Sequence, residues 1–185
     1  MGTIKFLVMK FKTVFAIAVV CCFAIGCKSK MAVDYNNLIV REQQSLAKSM
    51  EQTEPQLKNY FANYEYDSIA SVSSRMEAKI DSIIHDIQNR PAPKVKQGEN
   101  FKKAALNYFD YMKTIYTSYK NYGSESTPQG RIIGLAVISR VTNDEDKAIA
   151  DMQQAQRIFA KDNGFKIQAA KEKQSGSMTA SPPNK

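Results

Sequence analysis

The strongest constraint on the fold is an apolar repeat with the period of an α-helix. Within residues 67–90 the apolar side chains recur every three or four positions, which places them on one stripe of a helix. The stripe consists of Ile69, Val72, Met76, Ile80, Ile83 and Ile87. Asp67 is a suitable N-cap, and Pro91 stops a helix after Arg90. The pattern therefore predicts an amphipathic helix over 67–90.

A second stripe, with larger side chains, follows in residues 100–122. Its members are Phe101, Ala105, Tyr108, Met112, Ile115, Tyr119 and Tyr122, spaced alternately by four and three positions. Because this stripe is the most aromatic, we expect its helix to lie deepest in the core. Gly123 is expected to end the helix, since glycine readily takes the left-handed conformation of a C′ residue.

Two longer apolar patterns flank this pair of helices. Residues 34–64 present one broad apolar face, which Pro55 is expected to kink or interrupt. Residues 127–163 begin at Thr127–Pro128, an N-cap followed by proline at the first helical position. They end before Gly164, a suitable C′ residue for the last helix.

The segment 127–163 allows two interpretations. The segment has one apolar stripe that stays in phase along its whole length: Val137, Ile138, Val141, Ile149, Met152 and Phe159. This stripe favours one long helix with a possible bend. Thr142 and Glu145, however, have the spacing of a capping box, which would start a new helix in the middle of the segment. We expect one helix and keep two helices as the alternative.

Four amphipathic helices joined by short connections predict an all-α fold, an up-down-up-down four-helix bundle. The predicted helices cover about residues 34–64, 67–90, 100–122 and 127–163. A chain of 185 residues has room for one such domain, which we assign to 34–167. Residues 168–185 are polar, with Ser-Gly-Ser and Ser-Pro-Pro, and are predicted to be a disordered tail.

The N-terminus has the plan of a secretory signal peptide. Lys10 and Lys12 precede an uninterrupted run of apolar and small residues from Val14 to Gly26. The run has 13 residues, well short of the roughly 20 that cross a bilayer as a helix. We therefore expect residues 1–26 to be removed. A start at Met9 would give a shorter and more typical signal sequence.

The residues at the end of this run, Ala24-Ile25-Gly26-Cys27, resemble the lipobox of bacterial lipoproteins. Cys27 matches the acylated cysteine and Gly26 the small residue before it, whereas Ala24 stands where leucine is more usual and Ile25 is bulkier than the family prefers. The resemblance implies a diacylglyceryl group and palmitate on Cys27, and residues 27–33 as a lipidated tether. Cleavage by ordinary signal peptidase is the alternative, because Ala24 and Gly26 also suit that enzyme. It would release a soluble protein with a free Cys27 at its N-terminus.

The same resemblance implies a location in the cell envelope. Lipoproteins with Asp directly after the acylated cysteine stay in the inner membrane, and here that position is Lys28, which implies the outer membrane. Some families use an acidic patch after the cysteine for export to the cell surface. That patch is missing, which favours the periplasmic leaflet. The mature part, through its closing residues 159–167, resembles uncharacterised helical-bundle lipoproteins of Gram-negative envelopes.

Removal of residues 1–26 changes both the charge and the cysteine count. The three lysines of that segment leave with it, so that the formal charge falls from +8 to +5. Cys21 and Cys22 leave as well, and Cys27 becomes the only cysteine, which excludes an intramolecular disulfide. Export, together with the lack of a dense Lys/Arg cluster, argues against nucleic-acid binding.

Glu42 is the most informative polar residue, because it falls inside the apolar face of the first predicted helix. A carboxylate in that position must be paired, hydrated or protonated. One interpretation is a ligand pocket between helices, with Tyr108, Tyr116 and Tyr119 facing Glu42. The other is a position at the rim of the bundle, paired with Lys or Arg.

Tyrosines also crowd the predicted turn between the first two helices. Tyr60, Tyr64 and Tyr66 lie too close together for all of them to be buried there. Aromatic side chains at helical spacing are usually core residues, but those in a turn are partly exposed. We take these three tyrosines as a candidate patch for a protein partner.

The chemistry that a catalytic site would need is sparse. His85, the only histidine, is predicted on the polar face of its helix, and no pattern of metal ligands or of a nucleophile with its base is present. We therefore expect no catalysis, metal or cofactor. The sequence predicts a lipid-anchored envelope protein that acts in binding or structure, with a periplasmic small-ligand carrier as the alternative.

Besides the membrane that holds the anchor, two kinds of partner are candidates. One is another envelope protein, through the tyrosine patch. The other is anionic lipid head groups, through the modestly basic loop of residues 90–103.

Overall fold

The computed structural model describes residues 27–167, which form five α-helices and no strand. The helices are α1 (Cys27–Ala62), α2 (Tyr66–Asn89), α3 (Gly98–Ser124), α4 (Pro128–Asn143) and α5 (Glu145–Asp162). The predicted all-α bundle is confirmed, with α4 and α5 together in the place of the predicted fourth helix. The predicted signal peptide, 1–26, and the predicted tail, 168–185, lie outside the described residues.

α3 lies deepest in the bundle, as its aromatic stripe predicts. It packs along α2 on one side and against both α4 and α5 on the other, while α1 packs on α2 and α5. Every member of the two predicted stripes is buried, from Ile69 to Ile87 in α2 and from Phe101 to Tyr122 in α3. The core is therefore built on the two segments whose helical periodicity is clearest.

α2 begins without the predicted cap. Tyr66 is its first residue, so Asp67 lies in the first turn and Glu65 takes the N-cap position. The Glu65 side chain accepts a hydrogen bond from the Ser68 hydroxyl at 3.3 Å, but none from a backbone N–H of the helix. Asp67 still suits this place, because a negative charge in the first turn interacts favourably with the helix dipole. The N-cap prediction was wrong by two residues.

Gly123 does not end α3, which continues to Ser124. Its role is to allow a close approach of α2 and α3. A Cβ atom on Gly123 would lie 2.5 Å from the Ala70 backbone nitrogen and 2.6 Å from the Tyr66 carbonyl oxygen. Those distances are far inside van der Waals contact, so glycine is needed at this position for space and not for its conformational freedom.

Gly164 has the role that the sequence predicts for it. It follows α5 with a φ of +72°, in the left-handed region that favours glycine. The next residue, Phe165, donates its backbone N–H to the carbonyl of Ala160 at 3.1 Å, and its side chain is buried. This hydrogen bond and apolar contact form the Schellman ending of α5.

α1 is longer than predicted at its start. Residues 27–33, predicted as a tether, form its first turns, and Ala32 and Val33 are buried in the core. Ala32 lies three residues before Tyr35 and seven before Ile39, so the apolar stripe of α1 extends back into this segment. The tether prediction overlooked this stripe, because lysines flank it.

Pro55 lies inside α1 and does not interrupt it. Proline has no N–H to donate and therefore leaves one carbonyl of the preceding turn without its helical partner. Pro55 and Glu51 are both exposed, so water can bind the Glu51 carbonyl. The helix consequently continues to Ala62.

The prediction of a single helix over 127–163 was wrong, and the alternative of two helices is confirmed, since the segment is divided at Asp144 into α4 and α5. In a continuous helix the Val141 carbonyl would accept a hydrogen bond from the Glu145 N–H. Instead it accepts the Tyr111 hydroxyl of α3 at 2.5 Å and the Asp144 N–H at 3.2 Å. The capping box is not what causes the break, since the Thr142 hydroxyl donates back to the Ile138 carbonyl at 2.9 Å.

The helices meet at two ends of the bundle. The start of α1, the α2–α3 connection and the end of α5 form what we call the Cys27 end, residues 29–34, 86–103 and 160–167. Ser29 Oγ donates to the Asn163 carbonyl and Asn163 Nδ2 to the Lys96 carbonyl, both at 2.9 Å. The opposite end, which we call the turn end, contains the α1–α2 and α3–α4 turns, residues 58–68 and 122–131.

Candidate functional site

The three tyrosines of the predicted ligand pocket lie in the closed core. Tyr108, Tyr116 and Tyr119 are between 1% and 5% exposed. Burial raises the pKa of each hydroxyl, and the carboxyl groups that raise it further are those of Glu145 and, for Tyr116 and Tyr119, Glu54. Glu42 is half-buried and is not among these groups.

Glu54 of α1 and Glu145 of α5 therefore approach the same tyrosine cluster. Burial first, and then the charges of Glu54 and Asp146, raise the pKa of Glu145 to about 7. Burial and the charge of Glu51 raise the pKa of Glu54 as well. Burial therefore favours the neutral form of each carboxyl group, and the charge of Glu54 adds to this effect at Glu145. Sequence reasoning missed this pair, because its members are far apart in the chain.

The pair does not amount to a metal centre. Within residues 27–167 no three side chains among His, Cys, Asp and Glu come together as a group that could hold a metal ion. His85 lies exposed on α2, where its Nε2 is 2.8 Å from Asn89 Nδ2. The sequence-predicted placement of His85 on the polar face of its helix is confirmed.

A cleft of about 570 Å³ opens at the turn end. The α1–α2 turn and the α3–α4 turn form its walls. Its lining consists of Tyr64, Glu65, Tyr66, Asp67, Ser68, Gly123, Ser124, Glu125, Ser126 and Arg131. The cleft is open to solvent, and its lining combines two aromatic rings and one guanidinium group with hydroxyls and carboxylates.

Two members of the predicted tyrosine patch line this cleft. Tyr64 is 59% exposed, and its ring centroid lies 6.5 Å from that of Tyr66. The Arg131 guanidinium covers the Tyr66 ring, with Cζ 3.8 Å from the ring centroid, a favourable cation–π contact. Tyr60, the third member, is partly buried against the core. The patch thus consists mainly of Tyr64.

The backbone at Tyr64 is in an unfavourable conformation. Its φ is +59°, in the left-handed region that glycine and asparagine occupy at the ends of helices. The Glu65 N–H donates to the Tyr60 carbonyl at 2.9 Å across this residue. A glycine would make the same turn at lower cost, so the tyrosine ring is exposed at some expense in stability.

α4 carries a second exposed surface, which sequence reasoning missed. Of its residues only Ile138 is buried, whereas Ile132, Ile133, Leu135 and Val137 are 61%, 57%, 46% and 37% exposed. Val137 was expected on the buried stripe together with Ile138. A signal is visible in the sequence: residues 132–138 are all apolar or glycine, and a helix that packs on one side cannot bury them all.

The exposed face of α4 and the cleft join at Arg131. Arg131 lines the cleft and lies directly before Ile132 in α4. Residues 126–143 contain Arg131 and Arg140 but no Asp or Glu, so the surface is apolar with a positive border. We call Ile132, Ile133, Leu135, Val137 and Tyr64 together the α4 surface. Large apolar side chains that are exposed on neighbouring turns of one helix, as in α4, are typical of interaction sites.

None of the helices in 27–167 has the length and apolar character of a membrane span. Comparison with protein-family models, with curated protein sequences and with solved structures found no match for this chain.

Proposed function

We propose that this protein is a lipid-anchored component of the cell envelope whose helical bundle binds a protein partner without catalysis. The observation that carries the proposal is the α4 surface, in which four large apolar side chains and one strained tyrosine face solvent. Exposed apolar area gains nothing for the fold, and its burial against a partner stabilises a complex.

The position of the α4 surface suits a protein that is held at a membrane by Cys27. α5 lies between α4 and the Cys27 end, and its 18 residues span about 27 Å. An acyl chain on Cys27 would therefore leave α4 well above the head groups. Since the chain is helical from Cys27 onward, no flexible segment would separate the lipid from the bundle.

The chemistry of the α4 surface indicates the kind of partner. Its apolar centre fits the apolar face of an amphipathic helix. Arg131 and Arg140, with no acidic residue between Glu125 and Asp144, fit carboxylates that flank that face. We therefore propose a partner helix with an acidic border.

The partner can be captured by a photoreactive amino acid at Ile133 in the native protein. The matched control carries the same group at Ser82, an exposed position on α2. We expect one discrete adduct from Ile133, none from Ser82, and loss of the adduct when Ile132 and Val137 are both changed to Ser. Equal adducts from both positions, or an adduct that survives the double change, would contradict the proposal.

The lipid anchor is tested separately by mass spectrometry of the N-terminal peptide. The proposal expects cleavage before Cys27 and the added mass of acyl groups on that residue, in protein recovered from the outer membrane. An unmodified Cys27 in soluble periplasmic protein would favour ordinary signal peptidase and would overturn both the anchor and the outer-membrane address.

A further inference from the structure

The two ends of the bundle differ in charge. The segments that form the Cys27 end contain eight Lys and Arg residues against four Asp and Glu. The turn end contains two against three. Because the positive excess surrounds the start of α1, it lies at the one end of the bundle where an acyl chain on Cys27 would enter a membrane.

Hydrogen bonds between segments hold the backbone of this basic end in place. Asn163 links the end of α5 to the carbonyl of Lys96, and Ser29 links α1 to Asn163. Lys102 Nζ donates to the carbonyls of Gln88 at 2.9 Å and Arg90 at 2.6 Å, which ties the end of α2 to the start of α3. The charged groups are thus carried by a fixed surface and not by a loose loop.

The lysines at the tip of this end point to solvent. Lys94, Lys96, Lys161 and Lys166 are all exposed. The ion pairs described in the bundle involve other lysines, Lys113 with Asp81, Lys120 with Glu77 and Lys147 with Asp151. The exposed ammonium groups form a positive layer around the start of α1.

We infer that the Cys27 end is a docking surface for the anionic head groups of the lipid layer that holds the anchor. This inference rests on the lipid anchor proposed above. Each lysine near an anionic bilayer raises the partition of a protein onto that surface by about fivefold, and acyl chains and basic patches act together in stable anchoring. Contact through this end holds the bundle upright and directs the α4 surface away from the membrane.

The inference is tested by lysine footprinting of the purified protein, produced from its full sequence and reconstituted into vesicles. One set of vesicles contains zwitterionic phosphatidylcholine alone, and the other contains added phosphatidylglycerol. An amine-specific reagent that does not cross the bilayer should modify Lys94, Lys96, Lys161 and Lys166 at least about fivefold more slowly on the anionic vesicles. High salt should abolish this difference, because it screens the head-group charge.

Two lysines of α1 are internal controls in the same sample. Lys48 and Lys58 are exposed and lie 21 and 31 residues along α1 from Cys27. Their reactivity should be the same on both kinds of vesicle. Equal reactivity of the Cys27-end lysines on both vesicles would overturn the inference. Equal protection of Lys48 and Lys58 would overturn it too, since the bundle would then lie flat.

Charge variants provide a second and independent readout. The triple change Lys94→Gln, Lys96→Gln and Lys166→Gln should remove most of the anionic protection of Lys161. The matched control is Lys48→Gln, Lys58→Gln and Arg75→Gln, which removes the same charge from exposed positions on α1 and α2 and should leave the protection unchanged. Equal effects of the two triple variants would show that the protection of Lys161 depends only on the net charge of the protein, and would overturn the inference.

The anchor and the docking surface can fail independently. The mass of the Cys27 peptide from the same preparation reports only on the anchor. If Cys27 is not acylated, the proposed function fails. Anionic vesicles added to that soluble protein still test the surface, by protection of the same four lysines.

Discussion

α2 and α4 show how similar residues serve opposite purposes in one bundle. Both helices are rich in isoleucine and valine, but α2 places its apolar residues on one stripe and buries them against α3. α4 spreads its apolar residues around the helix and buries only Ile138. The arrangement of apolar residues around a helix therefore decides whether a side chain stabilises the fold or remains available to a partner.

The largest expected effect is the contrast between Ile80→Ala in α2 and Ile133→Ala in α4. Ile80 is fully buried, so its truncation should lower the free energy of unfolding by about 3 kcal/mol. Ile133 is 57% exposed, and its truncation should change stability by less than about 0.5 kcal/mol. Denaturant unfolding of both variants measures the difference. A comparable loss from Ile133→Ala would show that the α4 surface is covered.

Two glycines sharpen the same contrast between tight and loose packing. Gly123→Ala should cost about 2 kcal/mol, because the new methyl group meets the backbone of α2. Gly134→Ala in α4 is the control, because its Cβ would meet only a side chain, with the nearest ring carbon of Tyr122 3.3 Å away. The higher helix propensity of alanine offsets this close contact. We expect the control to change the free energy of unfolding by less than about 0.5 kcal/mol. Similar losses of stability in both variants would contradict a closer packing of α3 against α2 than against α4.

Glu145, where α5 begins after the break, makes the stability of the bundle depend on pH. Because the pKa of Glu145 is raised to about 7 in the fold, folding favours its protonated form. Its stabilising protonation is complete below the unfolded pKa, near 4.5, and is lost as the pH rises through about 7. The group is partly exposed, so we discount the shift and expect Glu145→Gln to stabilise the protein by about 1 kcal/mol at about pH 8.

The pH dependence of that gain is the informative measurement. The stabilisation by Glu145→Gln should disappear at about pH 4, where the carboxyl group is protonated in both states. Asp146→Asn, the neighbouring change at an exposed position, is the control and should have a much smaller effect at either pH. Thermal unfolding at the two pH values decides the point, and a gain that does not vary with pH would refute it.

The smallest effect concerns the strain at Tyr64. Tyr64→Gly should stabilise the bundle by about 0.5 kcal/mol, because glycine takes the observed left-handed conformation without a Cβ penalty. Tyr64→Ala also removes the ring but keeps the penalty, and should not be stabilising. Both variants should weaken the crosslink from Ile133 if Tyr64 belongs to the binding surface. An unchanged crosslink would show that Tyr64 does not belong to the binding surface, which would then consist of residues of α4 alone.

The fold was predictable to the extent that it depends on periodicity. The stripes of α2 and α3 were identified residue by residue, because the spacing of apolar residues in a regular amphipathic helix identifies its buried face. The start of α1 was missed because lysines mask a short apolar pattern. The break at Asp144 was kept only as an alternative, because the contact that accompanies it, from the Tyr111 hydroxyl to the Val141 carbonyl, comes from another helix.

The candidate site was predictable only in part. Tyr64 and Tyr66 were singled out because tyrosines in a short turn cannot all be buried, and both line the cleft. Val137, on the exposed face of α4, was assigned to the buried stripe, because an apolar helix does not indicate which side its neighbours cover. The approach of Glu54 and Glu145 to one tyrosine cluster left no local pattern at all.

Periodicity alone thus determined that this chain forms amphipathic helices and which residues of α2 and α3 are buried, because helix geometry repeats locally along the chain. The tertiary structure decided what depends on neighbours distant in sequence. It divides the last segment at Asp144, leaves one side of α4 open to solvent, and gathers the positive charges of three separate segments around Cys27. These features follow from the side on which each helix is packed, and no single segment contains that information.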